Sequence, residues 1–115
     1  MMNTVKEGLA RMAVNLRGAV DDAQVAVEDQ LSLRLSVKCK NALEQAWKQY
    51  LASHELYMMK VGSGRLGKDA EIQRRQRRSD FNRALEDLKV YILTLAKENV
   101  RLVEVEGERK CNHLE

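Results

Sequence analysis

The chain lacks proline entirely and contains only six glycines and five aromatic residues among its 115 residues, although 44% of them are hydrophobic. Small β-sandwiches and barrels need frequent turn residues and strands rich in aromatic and β-branched side chains, so this composition argues against them. The hydrophobic content excludes a disordered tail, and the length excludes a large multidomain enzyme. We therefore expect one helical domain, spanning residues 1–110.

Long apolar runs are also missing: the longest are four residues, at 56–59 and 90–93. Because a membrane-spanning helix needs about 20 apolar residues, no such helix and no membrane association are expected. The N-terminus shows no basic stretch followed by an apolar segment, so we expect no secretory signal. Cys39 and Cys111 belong to no paired-cysteine pattern, which favours reduced thiols and a cytoplasmic protein.

Apolar residues recur at steps of three and four over about 4–30, from about 37 or 41 to 61, and over about 69–105. This spacing predicts three amphipathic helices. Residues 31–37 alternate as in a β-strand, but a single strand has no hydrogen-bonding partner, so we interpret them as helix or as a bend. The fold class predicted is an all-α bundle of about three helices with a long C-terminal helix.

The chain ends in a polar segment, which we place outside the helical domain as a tail over residues 111–115. Its last pair, Leu114-Glu115, resembles the residues left where an affinity tag has been joined to a protein. We therefore exclude this pair from functional reasoning.

A heptad pattern marks the last helix. Alternating steps of four and three connect Phe81, Leu85, Leu88, Ile92, Leu95, Asn99 and Leu102. Leucine at one core position, with a lone asparagine at the other, is typical of two-stranded coiled coils. A second apolar line follows Val90, Leu93, Val100 and Val103, so the helix is covered from more than one side. We expect a homo-oligomer, most simply a dimer; the alternative is that both faces are buried within a monomeric bundle.

The segment 62–68 carries half of the glycines and matches phosphate-binding motifs in part. It fits a P-loop up to Lys68, where Asp69 then replaces the serine or threonine that would bind magnesium. Such motifs follow a strand of a parallel sheet, whereas residues 56–61 continue a helical pattern. We interpret the segment as a turn between helices, in which backbone amides, Arg65 and Lys68 still suit an anion.

Positive charge is concentrated at the start of the last helix. Residues 61–83 contain seven basic residues against three acidic ones, the basic set being Arg65, Lys68, Arg74, Arg75, Arg77, Arg78 and Arg83. Guanidinium groups pair well with carboxylates and phosphates. Three interpretations remain open: solvated helix surface, contact with an acidic protein, or contact with nucleic acid or a nucleotide phosphate.

No group of residues suggests catalysis. His54 lies on an apolar stripe and fits a core histidine, and Cys111 with His113 offers two metal ligands where a structural zinc site needs four. We therefore expect no enzyme, no cofactor and no metal. The function predicted is that of a small adaptor, scaffold or inhibitor that self-associates and binds an acidic protein surface; the alternative is a nucleic-acid or nucleotide-binding module that uses residues 74–78 and the glycine segment.

Overall fold

The computed structural model describes the backbone of residues 2–114 and the side chains of residues 4–98, and it is a bundle of three helices. Helix α1 spans Met2–Glu28, α2 spans Leu33–Val61 and α3 spans Arg65–Leu114. The described backbone contains no strand. The predicted all-α fold with a long last helix is therefore confirmed. None of the three helices, over the residues described, is long and apolar enough to cross a membrane.

Because both connections are short, α2 runs antiparallel to α1 and to α3. At 1.5 Å per residue, α1 and α2 are each about 40 Å long, whereas α3 reaches about 75 Å. The whole molecule measures 75 × 21 × 20 Å. Since α3 alone accounts for the longest dimension, its last part extends beyond the end of the bundle formed by α1 and α2.

The connection between α1 and α2 is a Schellman turn. Leu31 N donates to Ala26 O at 3.0 Å and Gln30 N donates to Val27 O at 3.3 Å, which satisfies two carbonyls at the end of α1. The turn places Gln30 at a φ of 53°, in the left-handed region where glycine is more usual. Ser32 then caps α2, its Oγ accepting a hydrogen bond from Leu35 N at 3.3 Å. The alternating segment is thus helical from Leu33 onward.

Tyr91 of α3 forms a hydrogen bond with the turn between α1 and α2. Its hydroxyl donates to Leu31 O at 2.7 Å, so a side chain of the third helix holds the turn between the first two. Replacing Tyr91 with phenylalanine is expected to lower the free energy of unfolding by about 1 kcal/mol, because the carbonyl loses a partner in a partly buried place. Urea denaturation measures the change.

Tyr57 provides a matched control for Tyr91. Tyr57 is buried, and among the described residues its hydroxyl has no hydrogen-bond partner. Tyr57→Phe should therefore change stability by less than about 0.5 kcal/mol. Equal effects of the two substitutions would contradict a role for the Tyr91 hydrogen bond.

The core lies along the inner faces of all three helices. Its buried residues are Ala13, Leu16, Val20, Ala23 and Ala26 of α1; Leu43, Ala46 and Tyr50 of α2; and Phe81, Ala84 and Leu88 of α3. Trp47 stacks on Phe81 with ring centroids 4.9 Å apart, which joins α2 to α3 through a broad aromatic contact. The many alanines of α1 let its backbone approach α2 closely.

The predicted glycine segment 62–68 is shorter in the structure. The turn comprises residues 62–64 only, and α3 begins at Arg65 rather than near residue 69. Gly67 therefore belongs to the first turn of α3, where a Cβ would overlap the carbonyl oxygen of Gly62. This glycine is needed for close packing between the turn and the helix, and not for a loop.

The end of α3 also differs from the prediction. The helix continues to Leu114, past the predicted end near residue 105. The physical reason is the lack of a strong breaker: residues 65–114 contain no proline, and beyond the first turn Gly107 is the only glycine.

Candidate docking groove between the first and third helices

A groove runs between α1 and α3, on the side of the bundle that α2 leaves uncovered. Its larger section has a volume of about 490 Å³ and its smaller section about 360 Å³. Arg17 of α1 and Arg77 of α3 line both sections, so the two sections adjoin at this pair. The groove extends from Lys6 to Gln24 along α1, which corresponds to about 27 Å of helix.

The larger section, near the α2–α3 turn, has a largely apolar lining. Its nonpolar residues are Leu9, Ala10, Ala13, Val14, Tyr50, Tyr57, Leu66 and Ala70. Val14 and Leu66 are exposed at the two edges. Small alanine side chains on both walls keep this section open, so it has room for side chains from another segment.

Arg77 occupies a core position of α3. It lies seven residues after Ala70 and four before Phe81, both of which are buried, and its guanidinium is 5.7 Å from the centroid of the Tyr50 ring. A cation over an aromatic face contributes about 0.5–2 kcal/mol, depending on how far it is removed from water. This contact holds the guanidinium beneath the groove.

The Arg77 guanidinium has no acidic partner. Its Nε is buried and has no hydrogen-bond partner among the described residues, and no described carboxylate lies within 4.0 Å of it. A buried donor without an acceptor costs free energy, and more so when it is charged. Arg77 as a whole is half-buried and lines both sections of the groove, so the open part of its side chain is available to an anionic group there.

Tyr50 forms the floor of the groove below Arg77. It is only 1% exposed, and this burial raises the pKa of its hydroxyl, while the neighbouring Arg77 charge acts in the opposite direction. The ring therefore stays neutral at physiological pH and serves as an apolar and aromatic support for the guanidinium.

The remaining charges of the groove are mixed. Four basic residues line it, namely Lys6, Arg17, Arg77 and Arg83, against three acidic ones, namely Asp21, Asp69 and Asp80. The basic residues Arg17 and Arg77 lie at the junction of the two sections. Positive charge is therefore placed at the middle of the groove.

The other predicted basic residues point elsewhere. Arg74 Nε donates to Glu71 Oε1 at 2.5 Å, and this hydrogen bond lowers the pKa of the Glu71 carboxyl. Lys68 and Arg75 border a separate, mostly apolar recess of about 450 Å³ on the other side of α3. Arg65 and Arg78 are exposed. The seven predicted residues thus face several directions and do not form one patch.

The residues of the predicted heptad seam differ in how far they are buried. Phe81 and Leu88 are buried in the core of their own chain, and Leu85 and Ile92 pack against that core. Leu95 is half-buried. The side chains of Asn99 and Leu102 lie outside the described residues. This part of the seam is therefore covered at least as far as Ile92 by α1 and α2.

Groups with catalytic potential are few among the described side chains. His54 is buried and its Nε2 lies 3.9 Å from Glu71 Oε2, without a hydrogen bond. Burial raises the pKa of the Cys39 thiol, which disfavours the reactive thiolate. No three of the described His, Cys, Asp and Glu residues are grouped as a metal site. The chemistry that the groove offers is noncovalent binding of an anion beside apolar groups.

Arg77 and Arg83 were predicted from the sequence as binding residues, whereas Lys6, Arg17 and Tyr50 were not. The interval of seven residues from Ala70 to Arg77 and from Arg77 to Ala84 places Arg77 on the buried stripe, and this signal could have distinguished it from its neighbours. The chain matches no protein-family model, no curated protein and no solved structure.

Proposed function

We propose that this chain is a noncatalytic interaction protein that binds an acidic, amphipathic helix of a partner protein in the groove between α1 and α3. One observation carries the proposal: Arg77 lines both sections of the groove, is held over Tyr50, and has no described carboxylate within 4.0 Å. A carboxylate from a partner would supply the missing acidic partner of the guanidinium in a charge-assisted hydrogen bond.

The shape of the groove favours a helix as the bound element. Three helices pack here where a fourth can complete a bundle, and about 27 Å of groove accommodates five helical turns. The apolar section takes side chains spaced three and four residues apart, as in other helix-in-groove complexes. A glutamate or aspartate on the same helix then meets Arg17 and Arg77.

A direct test uses a designed 18-residue peptide with leucines at helical spacing and glutamates along one edge of the leucine stripe. Arg77→Gln is expected to weaken binding about ten- to a hundredfold, because a hydrogen bond to a charged group contributes about 1.5–3 kcal/mol. Fluorescence anisotropy of the labelled peptide gives the dissociation constant. Arg17→Gln, at an exposed position, provides a second variant that leaves the core intact.

Arg78→Gln is the matched control, since Arg78 is adjacent in sequence, exposed, and absent from the lining of both sections. Equal weakening by Arg78→Gln and Arg77→Gln would overturn the proposal, because the peptide would then sense only overall charge. A second arm measures a DNA duplex. Binding that falls steeply with salt and depends on Arg78 would support the alternative function, phosphate binding by residues 74–78 and the turn.

A further inference from the structure

The charged residues of the groove follow a regular order along its length. Counted from the end near the α2–α3 turn, the larger, apolar section comes first, and Arg17 and Arg77 follow where the two sections meet. Asp21 and Asp80 line the smaller section and lie about one helical turn further along α1 and α3. Arg83 lies one further turn along α3. The order is therefore apolar, basic, acidic and basic.

These five charged residues are available to a bound segment. None of them takes part in an ion pair within 4.0 Å among the described residues. All are exposed except Arg77, which is half-buried. The other two charged residues of the larger section, Lys6 and Asp69, have opposite signs and add no net charge to it. An occupant thus meets charge mainly beyond the apolar section.

The direction of an occupant follows from the directions of α1 and α3. Residue numbers rise the same way along both walls of the groove, from Lys6 to Gln24 and from Leu66 to Arg83, so the two helices are parallel. In a four-helix bundle of alternating direction, the helix opposite α2 lies beside these two and runs antiparallel to both. Its dipole then opposes the two parallel dipoles, which is the favourable arrangement. Such a helix begins near Arg83 and ends near Leu66.

We propose that the groove selects its partner helix by the order of the charges, and that this helix lies antiparallel to α1 and α3. From its N-terminus the helix carries an acidic, a basic and a second acidic residue at steps of three or four, and then apolar residues at the same spacing. The first acidic residue meets Arg83, and the basic residue meets Asp21 and Asp80. The second acidic residue meets Arg17 and Arg77. The inference rests on the proposed function, because it specifies the sequence of the acidic helix assigned to the same groove.

Three labelled peptides of the same composition, with blocked termini, test the order and the direction against the full-length chain. The ordered peptide has the proposed sequence, the swapped peptide exchanges its lysine with its second glutamate, and the reversed peptide has the ordered sequence written backwards. The swapped peptide should bind about tenfold more weakly, because it brings like charges together at both turns next to the apolar section. The reversed peptide should bind several-fold more weakly, because only a parallel helix would give it the matching order. Fluorescence anisotropy gives the dissociation constants, and circular dichroism checks that the free peptides have equal helix content.

Charge reversal in the groove shows whether its acidic residues cause the preference. Asp21→Lys combined with Asp80→Lys, at two exposed positions, should reduce the preference for the ordered over the swapped peptide to less than about twofold, because each peptide then has one repulsive contact. Asp22→Lys combined with Asp87→Lys is the matched control. Both of these residues are exposed, neither lines the groove, and the change in net charge is the same. The control variant should keep the full preference.

The outcomes separate this inference from the proposed function. Equal binding of the ordered and swapped peptides, or equal loss of the preference in the groove variant and its control, overturns the charge order. A reversed peptide that binds as tightly as the ordered one overturns the antiparallel direction. If the ordered peptide still binds in these cases and Arg77→Gln still weakens it, the proposed function stands and only the inference fails. If none of the three peptides binds, the proposed function fails.

Discussion

Leu88→Ala is expected to lower the free energy of unfolding by about 2–5 kcal/mol, the usual cost of removing a fully buried leucine. Leu88 is 0% exposed and belongs to the cluster that joins all three helices. Because the contacts lie within one chain, the loss should be independent of protein concentration. Urea denaturation at two concentrations tenfold apart measures both quantities.

Leu93→Ala is the matched control on the same helix. Leu93 is 56% exposed, so its truncation should change the stability of the bundle by less than about 0.5 kcal/mol. If the destabilisation by Leu88→Ala grew as the protein was diluted, Leu88 would be buried between chains and not within one.

Gly67→Ala is expected to lower stability by about 1–3 kcal/mol, the typical cost of forcing an extra group into a closely packed place. The new methyl group would overlap the carbonyl oxygen of Gly62, which is backbone and cannot rotate away as a side chain can. Either the α2–α3 turn or the first turn of α3 must then shift. Thermal and urea denaturation should both show the loss.

Gly18→Ala is the opposite case and serves as the control. Gly18 lies inside α1 and a Cβ there would meet nothing within 4 Å. Since alanine is the better helix former, this substitution should raise stability by about 0.5–1 kcal/mol. A Gly67→Ala protein that is as stable as the wild type would contradict the close approach of turn and helix.

Periodicity alone was sufficient to predict the three helices and their order. It was less informative at the ends of helices. The glycines at 62, 64 and 67 resemble one loop in the sequence, but two of them have different structural roles. Gly62 has a positive φ of 68° at the end of α2. Gly67 allows the first turn of α3 to approach the backbone of Gly62 closely. A single sequence does not distinguish the two, because both require the absence of a side chain.

The buried face of α3 was predicted from the heptad pattern, which left open whether a second chain or the rest of the same chain covers it. Phe81 and Leu88 follow the steps of a coiled coil and are buried by α1 and α2 of the same chain. The pattern of apolar residues is the same in both cases, since helices pack by similar rules within a chain and between chains. Only the three-dimensional arrangement separates them.

The groove depends on residues that are far apart in the sequence. Arg77 belongs to a run of arginines that point to different sides of α3. The sequence of this run does not show that Arg77 is the residue that lies over Tyr50. Arg17 and Tyr50 come from two other helices, and nothing local predicts that their faces meet Arg77. Which sides of α1 and α3 remain uncovered is decided by the packing of the whole bundle.

The elongated shape of the molecule affects how its size in solution must be measured. The radius of gyration of the Cα atoms is 20.2 Å, whereas a compact domain of 115 residues has about 13 Å. A rod experiences more friction than a sphere of the same mass, so even a single chain will elute from a sizing column at the volume of a much heavier globular protein. Elution volume therefore cannot distinguish one chain from two, and an absolute mass is required.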